Sequence, residues 1–76
     1  MRRSVGSMDI HVVPKAGKWT VEQTGVGELA NFPTQEAAIG HARERAQQER
    51  AELFVHDEQG RIRDRSSFGN DPRGGG

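Results

Sequence analysis

Apolar and polar residues alternate twice near the start of the chain. In "MDIHVVP", Met8, Ile10 and Val12 fall on one side and Asp9, His11 and Val13 on the other, the period of a strand with two unlike faces. Pro14 cannot donate to a ladder and suits the strand end. After the short turn "KAG", "KWTVEQT" sets Trp19, Val21 and Gln23 against Lys18, Thr20, Glu22 and Thr24. The two segments predict a β-hairpin. "GVG" marks the next turn and "ELANF" a short third strand.

The period then changes. Pro33 ends the strand, Thr34 is an N-cap residue, and Glu36 stands in the first turn, where the helix dipole favours an acid. In "QEAAIGHARERAQQER", Ala38, Ala42 and Ala46 form one stripe with Ile39 beside it, while Arg43, Glu44, Gln47 and Arg50 face away. A stripe of alanines lets the helix sit close to a sheet. Gly40 lies off the stripe and weakens the helix without an evident reason.

Strand patterning resumes in "AELFVH", with Leu53 and Val55 on one face and Phe54 and His56 on the other. "DEQG" is a turn with Gly60 at the position that wants φ > 0. "RIRDRS" runs back as a fifth strand with Ile62 pointing inward. The order β-β-β-α-β-β predicts an α+β fold, a small two-layer sandwich in which one helix packs on one face of an antiparallel sheet. Beyond the last strand, Phe68 is placed to plug the rim of the core, and Gly69-Asn70-Asp71-Pro72 to make the turn that ends the ordered chain.

Composition sharpens this picture. Seventy-six residues make one domain, and a chain of this size buries only roughly 60% of its unfolded surface. Hydrophobic residues are 32% of the chain and aromatic ones 5%, so Trp19, Phe32, Phe54 and Phe68 are the first candidates for burial. There is no cysteine, which excludes disulfides and thiolate zinc sites and makes a reducing cytoplasm the simplest compartment. Self-association is another route by which so small a core gains stability. "MRRSVGS" has no apolar segment behind its arginines, and no stretch approaches the ~18 apolar residues of a membrane helix. The reading is therefore a flexible extension over 1–7, a single domain over 8–72 and a disordered Gly-rich tail over 73–76.

The patterns gathered so far carry a resemblance. "HVVP", a Trp shortly after a Gly turn, an Ala-rich helix and then "AELFVHDEQGRIRDRSSFGNDP" resemble a family of short bacterial proteins, domain of unknown function 2188. The similarity runs from about Ile10 to Pro72, and its most specific part is the closing block: strand, His56, acidic-Gly turn, "GRI", then aromatic-Gly-Asn-Asp-Pro. It implies a compact bacterial domain with no assigned activity, and it offers no catalytic residues to carry over.

Candidate chemistry is sparse. His11 and His56 share the face of the sheet opposite the helix and would meet if their strands were neighbours. A metal would need three or four converging ligands, with Asp9 or Asp57 helping. Half-exposed strand histidines are the plainer reading, and no metal or cofactor is expected. Ser66 and Ser67 lack a Gly-x-Ser-x-Gly elbow. Asp57 and Glu58 sit in a turn, where solvent leaves carboxylates ordinary. "GVG" and "GGG" lack the strand–helix context and lysine of a phosphate loop. These features point away from an enzyme.

Net charge is zero, 11 basic against 11 acidic residues, which gives no global attraction to nucleic acid or membrane. Locally, Arg61, Arg63 and Arg65 form a row that Arg2, Arg3 and Arg73 could extend, able to contact phosphates. Asp64, Asp71 and the shortage of aromatics count against it, and arginines also keep an edge strand from pairing with other chains. The stronger candidate is the sheet face that the helix leaves open, with His11, Val13, Phe54 and His56 as the contact. The functional expectation is a binding domain that self-associates or meets a protein partner, with nucleic-acid binding through the arginine row as the alternative.

Overall fold

The computed structural model describes residues 9–68. The proposed extension over 1–7, the turn at 69–72 and the tail over 73–76 lie outside them. Five strands and one helix follow in the expected order: β1 (Ile10–Lys15), β2 (Lys18–Gln23), β3 (Gly27–Phe32), α1 (Gln35–Glu49), β4 (Glu52–His56) and β5 (Ile62–Ser67). They form one sheet in the order β3-β2-β1-β4-β5, with α1 laid across β1 to β4.

The sheet is mixed, which corrects the antiparallel expectation. β1 and β4 pair in parallel, and the other three pairs are antiparallel. Chain direction forces this. Two tight hairpins make β1 and β3 run the same way, and the helix reverses the chain once more, so β4 runs with both. β2 already has two neighbours, so the free edges belong to β1 and β3, and either makes a parallel pair. β4 takes the β1 edge, and β1 becomes the central strand.

The helix begins and ends where local chemistry dictates. The Thr34 Oγ1 accepts the Ala37 N–H at 3.2 Å, occupying one of the four donors that a helix start leaves unpaired. At the other end Arg50 adopts a left-handed conformation, φ 54°, and its N–H turns back to the Ala46 carbonyl. Ala38, Ala42 and Ala46 are all fully buried, as the stripe predicts.

Among the described residues the core consists of nine buried apolar residues, of which four are alanines, and none is aromatic. Ile10 and Val12 of β1, Val21 of β2 and Leu53 and Val55 of β4 meet the alanine stripe and Ala51. Trp19, Phe32 and Phe68 pack around the rim, half-buried. The aromatics therefore fringe the core and do not fill it, because an alanine stripe brings the helix too near the sheet to admit rings. Phe54 is on the other face altogether.

Ile62 does not point inward. It pairs with His56, and a bulge between Val55 and His56 leaves Arg63 as the extra residue of β5. One inserted residue reverses the facing of what lies beyond it. Ile62 thus emerges on the open face, 57% exposed.

Candidate functional site

Register assembles the open face of the sheet from all five strands. Glu28 pairs with Glu22, Glu22 with His11, His11 with Phe54 and Phe54 with Arg65. One row across the sheet thus runs from two acids through an imidazole and a phenyl ring to a guanidinium. The neighbouring row holds Asn31, Thr20 and Val13, with His56 and Ile62 on the other side of β1. Thr20 is fully buried on this face, and its hydroxyl is satisfied by donating to the Asn31 Oδ1 on the adjacent strand. Lys15 bonds Glu28 across the β2 strand.

His11 and His56 come together at the centre of this face. The His11 ring stacks on Phe54, with centroids 5.0 Å apart and planes 14° from parallel. Its Nδ1 lies 3.1 Å from the His56 Nε2. The His56 Nδ1 lies 2.9 Å from the Gly60 carbonyl. A carbonyl only accepts, so the proton of neutral His56 sits on Nδ1 and its Nε2 presents a lone pair. His11 then donates from Nδ1, and its own Nε2 keeps a lone pair. Partial burial first, and then His56, hold the His11 pKa below its ordinary value of 6.5, while the Asp9 and Glu22 carboxylates pull the other way. The pair borders a shallow depression of about 570 Å³ that Val13, Glu22 and the β2–β3 turn complete.

His41 is elsewhere. It is exposed on α1, its ring 5.2 Å from that of Phe32. Among the described residues no group of three or more His, Cys, Asp or Glu side chains is arranged to hold a metal ion; neither Asp9 nor Asp57 completes a set with the two histidines.

The arginine row is broken. Arg65 stands on the open face opposite Phe54. Arg63, displaced by the bulge, donates to the Gln35 Oε1 at the start of α1, at 3.0 Å. It lines a second depression with Trp19 and Asp57, of about 340 Å³. Arg61 precedes β5 and is held by the Gln59 side chain at 3.0 Å and the Asp57 carboxylate at 4.0 Å. The sequence period that aligned the three arginines assumed an unbroken strand. Ser66 and Ser67 occupy ladder positions opposite Leu53 and Glu52.

Asp57 departs from the ordinary turn carboxylate that the sequence suggested. Hydrogen bonds from the backbone N–H groups of Arg61 and Gln59, with the Arg61 and Arg63 charges adding to them, hold its pKa below the usual 3.8. These bonds fix the β4–β5 turn and so the position of Gly60, which orients His56.

The molecule is thus a two-layer α+β domain with one sheet face covered by a helix and the other lined by a histidine pair. Residues 10–68 match the family described as "Uncharacterized protein conserved in bacteria (DUF2188)", and the chain belongs to that family. No curated protein and no solved structure shows significant similarity to it. Among the described residues, no helix is long and apolar enough to cross a membrane.

Proposed function

We propose that this domain acts by binding and not by catalysis, and that its open sheet face receives a second copy of the same chain. The observation that carries the reading is the row Glu28, Glu22, His11, Phe54, Arg65, with acids at one end, a cation at the other and rings between. Such a row complements itself. A two-fold axis along the strand direction and over the central strand β1 sets Arg65 of each copy against Glu28 of the other, which also bonds Lys15 of its own chain. It sets His11 against His11 and Phe54 against the aliphatic part of Glu22.

Magnitude sets the expected strength. Five strands about 4.8 Å apart and about 20 Å long present roughly 500 Å² per copy. The total of about 1,000 Å² is at the lower limit of specific interfaces. The dimer is accordingly weak and concentration-dependent. Phosphate contact through Arg61, Arg63 and Arg65 has less behind it, since Arg61 and Arg63 are engaged within the chain and only Arg65 remains on that face.

Sedimentation velocity over a concentration series tests the reading. The wild-type chain shifts towards a dimer as concentration rises, and Phe54→Glu, which sets a carboxylate beside the axis and against Glu22 of the other copy, holds it as a monomer. A wild-type chain that stays monomeric at high concentration, indistinguishable from Phe54→Glu, removes the proposal. A filter-binding titration with single-stranded RNA at low and high salt covers the alternative, because phosphate-driven binding weakens steeply with salt.

A further inference from the structure

The histidine pair has the form of half a metal centre. Two imidazole nitrogens that bind one ion at 2.0–2.1 Å lie about 2.8–3.4 Å apart, for square-planar and tetrahedral angles respectively. The His11 Nδ1 and His56 Nε2 are 3.1 Å apart. The span is also that of a hydrogen bond, so distance alone decides nothing.

The surroundings add three further features. The His56 Nδ1–H is tied to the Gly60 carbonyl, the contact by which ligating histidines are commonly oriented and their other nitrogen left basic. The His11 ring, on the central strand β1, is held against Phe54 of β4, the strand that also carries His56, and both strands are internal to the sheet. Ligand positions set on paired strands lose little freedom when they bind. Finally, the nearest charges favour a cation: Asp9 and Glu22 both act on His11, and Glu22 lines the depression beside the pair.

We propose that His11 and His56 form a two-imidazole chelate for a zinc-class divalent transition ion, whose remaining positions open onto the depression bordered by Glu22. Coordination requires neutral His11 to move its proton from Nδ1 to Nε2 and the two rings to turn so that their lone pairs converge on an ion beside the line joining them. The Nδ1 lone pair then joins the His56 Nε2 lone pair at the ion, and the hydrogen bond between the rings is exchanged for two coordinate bonds. No third histidine or carboxylate of the described residues stands with them as a ligand, so water or an exogenous donor fills the other positions. Imidazole donors select zinc, copper or nickel over magnesium or calcium. The site belongs to one chain and does not depend on the dimer.

The test is a titration of the chelator-treated full chain with zinc sulfate at about pH 7.5, where free imidazole is neutral, read at the histidine ring resonances. The expected result is a saturable shift of the His11 and His56 rings together, at one zinc per chain, with His41 unmoved. His11→Gln and His56→Gln each weaken binding about tenfold or more, and His41→Gln leaves it unchanged. Magnesium at the same concentrations produces no shift. The proposal is overturned if zinc moves neither ring, if His41 responds in parallel, or if His56→Gln binds as the wild type does. The wild-type ring shifts decide the matter even where a variant fails to fold. Sedimentation in the presence of chelator reports the dimer separately.

Discussion

The Asp57 carboxylate accepts the backbone N–H groups of Gln59 and Arg61, each at 2.9 Å. In the folded chain these bonds hold its pKa below the ordinary value of 3.8, whereas unfolding releases the carboxylate to water. The folded state therefore binds the proton less readily, and Asp57 stabilises the fold above its unfolded pKa. That contribution is lost as pH falls below about 3.8 towards the lower folded pKa. Asp57→Asn keeps an acceptor oxygen and removes the charge. We predict that wild type melts higher than Asp57→Asn near neutral pH and that the gap closes as pH falls below about 3.8. Melting curves by circular dichroism check this, and a gap that does not depend on pH contradicts it. The turn itself was legible in "DEQG", because Gly60 adopts φ 83° as its position required. The depressed carboxylate was not, since it depends on which way two amides point.

Among elements, α1 was legible almost to the residue. Its alanine stripe, Thr34 cap and first-turn Glu36 are local signals, and local signals survive folding unaltered. Gly40 was the one residue without a reason, and the structure supplies none: it is exposed, and a Cβ built there meets nothing within 4 Å. We predict that Gly40→Ala stabilises the chain by about 0.8–1 kcal/mol through helix propensity alone. For a domain of this size that raises the melting temperature by about 3–8 °C. An unchanged melting temperature would mean that Gly40 is engaged in something the fold does not display. The strands show the opposite limit. Their faces were legible from alternation until a bulge intervened, and no composition signal in "RIRDRS" marks Arg63 as the extra residue. The same bulge turned Ile62 outward and split Arg63 from Arg65. The parallel β1–β4 pair was implicit in the element order, because counting chain reversals leaves β4 running parallel to both free edges of the first three strands, β1 and β3.

At the scale of the whole molecule the two faces of the sheet divide the work. On the helix side, the cross-sheet rows end in polar residues at β5: Asp64 follows Val55 and Ser66 follows Leu53. The apolar layer therefore stops at β4, and α1 covers no further. What closes that margin is Phe68, which packs half-buried on the core cluster while its N–H donates to the Ala51 carbonyl at 3.1 Å. A core of small residues has few large side chains to share the loss when one is removed. Phe68→Ala is therefore expected to cost about 1–3 kcal/mol, below the range for a fully buried ring because this one is only half covered. The melting temperature then falls by about 4–8 °C for each kcal/mol lost. Self-association should survive the change at temperatures where the variant is folded, since Phe68 packs on the helix-side core and Phe54 on the open face. A variant that melts like the wild type removes the closing role of Phe68. One that melts lower but also fails to associate shows that the two faces are not independent.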